Sequence, residues 1–201
     1  MSYQRDAIKI AKFALKNKRN MKRVYVFTSL TIQAGLATIH PKMLDVDAKG
    51  ASSPHLWTMK GVGFRYWEQH EDALFKRLKA AVKANDVMDA MDALTEVPGL
   101  GLAKAGFLCQ MLGLDVACLD SHNLFRLGLP ASSYKLAKGI KHDLKMKKIA
   151  DYVDYTRKSG GAEYWWNTWC EYVAGNRANK TLPSADAVSA YHWTAITQTS
   201  L

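Results

Sequence analysis

The 201-residue chain has only three cysteines, five prolines and no apolar run long enough to span a bilayer, and its acidic residues are well outnumbered by basic ones. Each shortage excludes something. Cys109, Cys118 and Cys170 are too widely separated for a zinc knuckle or a four-cysteine iron–sulfur loop. An odd, sparse count suits a reducing cytoplasm, not a disulfide-stapled secreted domain. The six histidines are scattered, so no bound metal is expected. The first residues lack the apolar segment and cleavage site of a signal peptide, and the expected location is cytoplasmic, with no membrane partner. No internal repeat is present.

Hydrophobic residues make up 48% of the chain and charged ones 23%, the balance of a globular protein able to bury a core as one domain or two small lobes. Against 18 acidic residues stand 28 Lys and Arg, for a net charge of +10 and a pI near 9.5. That excess favours a polyanionic partner, although an inert basic surface has the same composition.

The most informative stretch is 94–128. Pro98 stops a helix, because it lacks an N–H and drives Val97 out of the α region. Gly99 and Gly101 permit positive φ and close backbone approach. From Ala103 to Leu112 the apolar spacing is that of a buried helix, with Leu108, Met111 and Leu112 on one face and Lys104 near its edge. The turn thus directs main-chain amides outward at a helix N-terminus, a geometry that suits phosphate. Asp120 follows at the mouth of a further short helix, Asn123 to Leu127, where it is equally a good N-cap.

Val97-Pro98-Gly99-Leu100-Gly101-Leu102-Ala103-Lys104-Ala105, then Leu119-Asp120-Ser121-His122-Asn123-Leu124-Phe125-Arg126, resembles the helix-hairpin-helix and following aspartate of the DNA glycosylase superfamily that includes endonuclease III, MutY and AlkA, and its viral glycosylase-like branch. The match covers about thirty-five residues. It implies an all-α, two-lobed fold: a lobe over 24–130 with the hairpin at 97–101, a second lobe from 1–23 plus 131–175, and a C-terminal tail over 176–201. It implies a monomer acting on double-stranded DNA, associated with a nucleoid or viral genome. The catalytic carboxylate falls on Asp120. The Schiff-base lysine of bifunctional members falls on Ala103, and Lys104 is one position, roughly 100° of helix rotation, away, which argues against lyase chemistry. Lys104 is therefore the lesser catalytic candidate and also a phosphate contact. Val97, Gly99, Gly101 and Arg126 are the other candidate DNA-backbone contacts. The resemblance adds a monovalent cation at the hairpin, with no iron–sulfur cluster and no other cofactor.

A glycosylase must extrude its target base into a pocket. Trp57, Tyr66, Trp67 and Trp166 are the candidate stacking residues, and core packing explains each of them as well. Three functions stay open. The first is a monofunctional DNA glycosylase hydrolysing the N-glycosidic bond of a damaged or modified base. The second is a glycosylase-like enzyme of DNA base hypermodification, of the thymine pyrophosphorylase type. The third is a non-catalytic helix-hairpin-helix DNA binder.

Elsewhere, residues 3–23 read as a basic helix with Ile8, Ala11 and Leu15 as its packing stripe, its charges either tracking DNA or simply solvated. Val24 to Ile39 has strand-like and helix-like features; the resemblance favours helix, ended by His40-Pro41. Residues 41–63 read as loop around a short helix near Leu44, and Phe64 to Ala84 as one amphipathic helix. Lysines crowd 133–158 over a stripe of Leu136, Ile140, Leu144, Ile149 and Val153. Residues 162–174 form an aromatic helix whose Trp165, Trp169 and Tyr172 face the core, with Trp166 off that face.

Overall fold

One helix, buried on almost every side, organises the molecule. It spans Lys18–Leu30 (α2), and everything from Arg23 to Leu30 is inaccessible, as expected of a helix with no polar face in that stretch. Around it, the computed structural model describes residues 2–32, 34–175 and 182–198. Among these are eleven α-helices and no strand, as expected of an all-α chain. The others are α1 Ser2–Ala14, α3 Ile39–Lys49, α4 Met59–Gln69, α5 Glu71–Ala84, α6 Val87–Thr95, α7 Leu102–Met111, α8 Ser121–Arg126, α9 His142–Lys158, α10 Gly161–Gly175 and α11 Ala185–Thr197. None is long and apolar enough to cross a membrane.

Helices α1, α3, α4, α5, α7 and α11 pack on α2, α6 packs on α5 and α7, and α9 and α10 close over α6, α1 and α11. Their buried side chains form one continuous cluster. Residues 185–197, set apart as a tail from sequence, are α11, which packs on α1, α10, α2 and α3; residues 176–181 and 199–201 of that tail lie outside the described residues.

Several element boundaries differ from expectation for local reasons. The basic stretch 3–23 is two helices, because the Asn17 side chain accepts from the Asn20 amide and starts α2 afresh. In α1 the buried stripe is Tyr3, Ala7, Ile10 and Ala14, and Ile8 is exposed. Pro41 does not end a helix; it sits in the first turn of α3, where its missing N–H has no intrahelical partner to lose. Phe64 to Ala84 is broken at His70, whose ring stacks on Tyr66 and whose Nδ1 meets the Tyr66 carbonyl at 2.8 Å. Residues 129–141 are turns, so Leu136 and Ile140 precede α9, and Leu144 is exposed while Ile149 and Val153 are buried.

Ion pairs tie the layers. Arg77 of α5 meets Asp89, Asp92 and Glu96, and Lys145 of α9 reaches the same buried Asp92 at 2.5 Å. Arg23 is not free to follow a nucleic acid: it is buried, paired with Asp47, and donates to the carbonyls of Ile196 and Gln198 at the end of α11. Lys18 and Lys22 pair with Asp72 and Glu68.

Candidate functional site

The site begins with a turn that sends the chain back along the helix it has just left. Helix α7 ends in a Schellman motif: Gly113, with φ of 82°, donates to the Gln110 carbonyl, and Leu114 to that of Cys109. The segment from Leu114 to Leu119 then runs back against α7, since a chain that is not helical covers more than the helix's rise of about 1.5 Å per residue. It lies directly against the helix because Gly106 has no side chain: a Cβ there would stand 2.5 Å from the Ala117 carbonyl oxygen. Tyr152 of α9 fixes the returning segment by donating to the Ala117 carbonyl at 2.7 Å and accepting from the Leu119 amide at 2.9 Å. The return brings Asp120 level with the start of α7, beside Lys104.

Asp120 caps α8. Its Oδ1 accepts from the amides of His122 and Asn123, both at 3.1 Å, which leaves Oδ2 outside the cap. Behind it Asn123 donates to the Cys118 carbonyl at 2.6 Å, which locks the turn.

Asp120 lines a cavity of about 290 Å³. One wall is the face of α7 on which Lys104, Phe107 and Gln110 recur every third residue; a second is Cys118, Asp120, His122 and Asn123; a third is Trp165, Trp166 and Trp169 of α10; and Thr31, Ala34 and Leu36 close it. Lys104 Nζ donates to Thr31 Oγ1 at 3.3 Å and lies over the Phe107 ring. Burial pushes the Cys118 thiol up to about 12; the Lys104 charge works against that shift and the Asp120 charge with it. The thiol is therefore an inert wall, and the working polar groups are carboxylate, ammonium and amides.

Trp166 is the most deeply set of the three indoles. It donates to Ser189 of α11 at 2.9 Å, and Ser189 donates in turn to Asp6 of α1. Its ring packs on His192, 4.6 Å between centroids. Burial pushes the His192 imidazole down to about 4, so it is neutral at ordinary pH. Trp165 is also buried, whereas Tyr172, expected to share its core face, is largely exposed beneath the Arg126 guanidinium.

The candidates named from sequence fall into three groups. Asp120, Lys104 and Trp166 line one cavity. Trp67 is sealed in the core, stacked on Tyr25 at 4.2 Å, and Tyr66 is taken up by His70, so neither borders it. Trp57 is half exposed on the far side of residues 29–32, where it lines a cleft of about 250 Å³ with Met59, Lys60, Pro98 and Gly99. The turn itself packs on α4, since a Cβ at Gly63 would stand 2.3 Å from the Pro98 carbonyl oxygen. Val97 is buried and its amide donates to the Leu94 carbonyl at 3.1 Å, which removes it from any phosphate. Gly99 and Gly101 are exposed, and no acceptor among the described residues meets their amides. Arg126 is exposed on α8.

Gln110, Asn123, Phe107 and Trp169 were not named as site residues from sequence. The three-residue spacing of Lys104, Phe107 and Gln110, with a glutamine in an otherwise apolar helix, is the signal that marks the first wall. Among the described residues no group of three or more His, Cys, Asp or Glu is arranged to hold a metal. Comparison with protein-family models, with curated proteins and with solved structures gives no match.

Proposed function

We propose that this chain is a DNA-binding enzyme of base excision, a monofunctional glycosylase in which the cavity receives a flipped damaged or modified base and Asp120 serves the glycosidic bond. The observation that carries this reading is the Asp120 carboxylate in the wall of an aromatic-lined cavity of nucleobase scale. Breaking the N-glycosidic bond leaves positive charge on the deoxyribose, and a fixed carboxylate stabilises that charge and orients the attacking water. With Oδ1 engaged by the α8 amides, Oδ2 is the oxygen for this role. The exposed Gly99 and Gly101 amides and Arg126 are the proposed backbone contacts, and in this reading the turn between α6 and α7 is the hairpin of a helix-hairpin-helix.

A second reading is favoured by Lys104. An ammonium in the same cavity as the carboxylate suits an anionic leaving group, as in diphosphate displacement by an amine during base hypermodification.

The deciding assay incubates the protein with duplexes carrying uracil, 5-hydroxymethyluracil, 8-oxoguanine or alkylated purines and measures free base by mass spectrometry. Asp120→Asn is the control, because asparagine caps a helix as well as aspartate does while removing the charge. Base release that drops about 100-fold or more in Asp120→Asn is the expected result. No release from any duplex refutes the glycosylase, and a mass gain of the intact nucleoside identifies the second reading.

A further inference from the structure

Two side-chain amides in the cavity wall have a fixed polarity. Gln110 is 2% exposed and Asn123 5%. Gln110 Nε2 donates to the Ala162 carbonyl at 2.7 Å, and Asn123 Nδ2 donates to the Cys118 carbonyl at 2.6 Å. A backbone carbonyl only accepts, so the amide nitrogen must occupy the bonded position in both cases. Flipping either amide would set oxygen against oxygen. Gln110 Oε1 and Asn123 Oδ1, on the other branch of each planar group, together with the second hydrogen of each amide nitrogen, are therefore the atoms left for a ligand in the cavity that both residues line.

Several other polar groups of the wall have no proton to offer. Asp120 contributes a carboxylate, which only accepts. The Thr31 hydroxyl proton is engaged by the Thr28 carbonyl at 2.6 Å, and the indole N–H groups of Trp165 and Trp166 are engaged by Ser159 and Ser189. Lys104, the Trp169 indole and the His122 ring also line the cavity and can donate. The oxygens of Gln110, Asn123 and Asp120 are met only by a ligand that brings N–H groups, because buried acceptors left unmet cost free energy.

We infer that Gln110 and Asn123 are specificity-determining residues that select a planar base bearing an exocyclic amino group over the counterpart lacking it. An amino group holds two hydrogens in the plane of the ring and satisfies both acceptors; an oxo group at that place meets them oxygen to oxygen. The flat partners it requires are present in Trp165, Trp166 and Phe107. This inference rests on the reading of the cavity as a base pocket, but not on cleavage of any bond.

The test is a titration of the intact protein with matched nucleosides by ligand-observed NMR: cytidine against uridine, guanosine against inosine, and 2-aminopurine riboside against purine riboside. The amino member of each pair is expected to bind about tenfold or more tightly. Gln110→Met keeps the length of the side chain and removes the acceptor; it should bring the ratio toward one while far-UV circular dichroism stays unchanged. If that variant does not fold, the wild-type ratios decide alone. Equal affinities, a preference for uridine and inosine, or an unchanged ratio in folded Gln110→Met would overturn the inference. Base release without an amino preference would also overturn it and leave the glycosylase standing. An amino preference without base release would support it and count against the glycosylase.

Discussion

Gly106→Ala puts a methyl group where the returning segment now lies. The new Cβ would stand 2.5 Å from the Ala117 carbonyl oxygen and 3.1 Å from the Tyr152 hydroxyl, which are bonded to each other at 2.7 Å. Restoring an ordinary contact of 3.4 Å requires the carbonyl to retreat by about 0.9 Å. That movement loosens both Tyr152 hydrogen bonds, each contributing about 1 kcal/mol, in addition to an overpacking cost of about 1–3 kcal/mol. Alanine's better helix propensity returns about 1 kcal/mol. The expected net loss is about 2–4 kcal/mol, read as a lower midpoint in urea denaturation. Because this segment leads directly into Asp120, any activity that depends on this carboxylate should fall about 100-fold even where the protein remains folded. Gly35→Ala is the matched control. Its φ is −68° and nothing lies within 4 Å of its Cβ position, so it should be neutral or stabilising by about 0.4–1 kcal/mol. A Gly106→Ala protein as stable and as active as the parent would refute the claim that this glycine sets the position of Asp120.

Three further outcomes are expected. The native protein disfavours the proton that the unfolded His192 takes up below about pH 6.5, so its stability contribution is intact above that pH and declines by about 3 kcal/mol as pH falls to about 4; His192→Phe should flatten urea midpoints across that window, and an unchanged slope would exclude His192 as its source. Burial alone would raise the Asp92 pKa, but Lys145 and Arg77 outweigh it and hold the carboxyl below its ordinary 3.8, so this contribution is present above that value and lost as pH drops through the lower one. Asp92→Asn, which leaves Lys145 half-sealed without a counter-ion, should cost about 3 kcal/mol at pH 7 and reduce the acid-limb loss; a shift within 0.5 kcal/mol, about the scatter of a surface substitution, would refute it. Arg126→Ala should leave the thermal midpoint unchanged and lower the salt dependence of DNA affinity by about one phosphate contact; an unaltered slope would remove Arg126 from the proposed interface.

How much of this was legible beforehand differs from residue to residue. The all-helical class came from the resemblance, while apolar spacing, a local property of consecutive residues, marked individual helices such as the one ending at Ala84. Asn17 as a cap and Gly113 as a helix stop use chemistry carried in one or two positions, although neither was singled out from sequence. The tryptophans of α10 show the limit. Periodicity put Trp165, Trp169 and Tyr172 on one face, but which face meets the core depends on where α11 and α1 lie, and Ser189 and Tyr3 drew Trp166 inward instead. Trp67 and Tyr66 read as possible stacking residues for the same reason: an aromatic ring looks alike in a sequence whether it packs on Tyr25 or faces solvent.

By itself the sequence determined the basic composition, the turn at Pro98 to Gly101 and the cap at Asp120, because each follows from the covalent chemistry of residues near one another in the chain. Only the tertiary structure decided that Asp120, Lys104, Gln110 and the indoles of α10 enclose one cavity, and that Trp57 lines a different one. Those residues come together through contacts among elements distant in the chain: a missing Cβ at Gly106, a tyrosine hydroxyl from α9 and a serine from α11. No local pattern encodes such distances, since they are set by the mutual packing of all the helices at once.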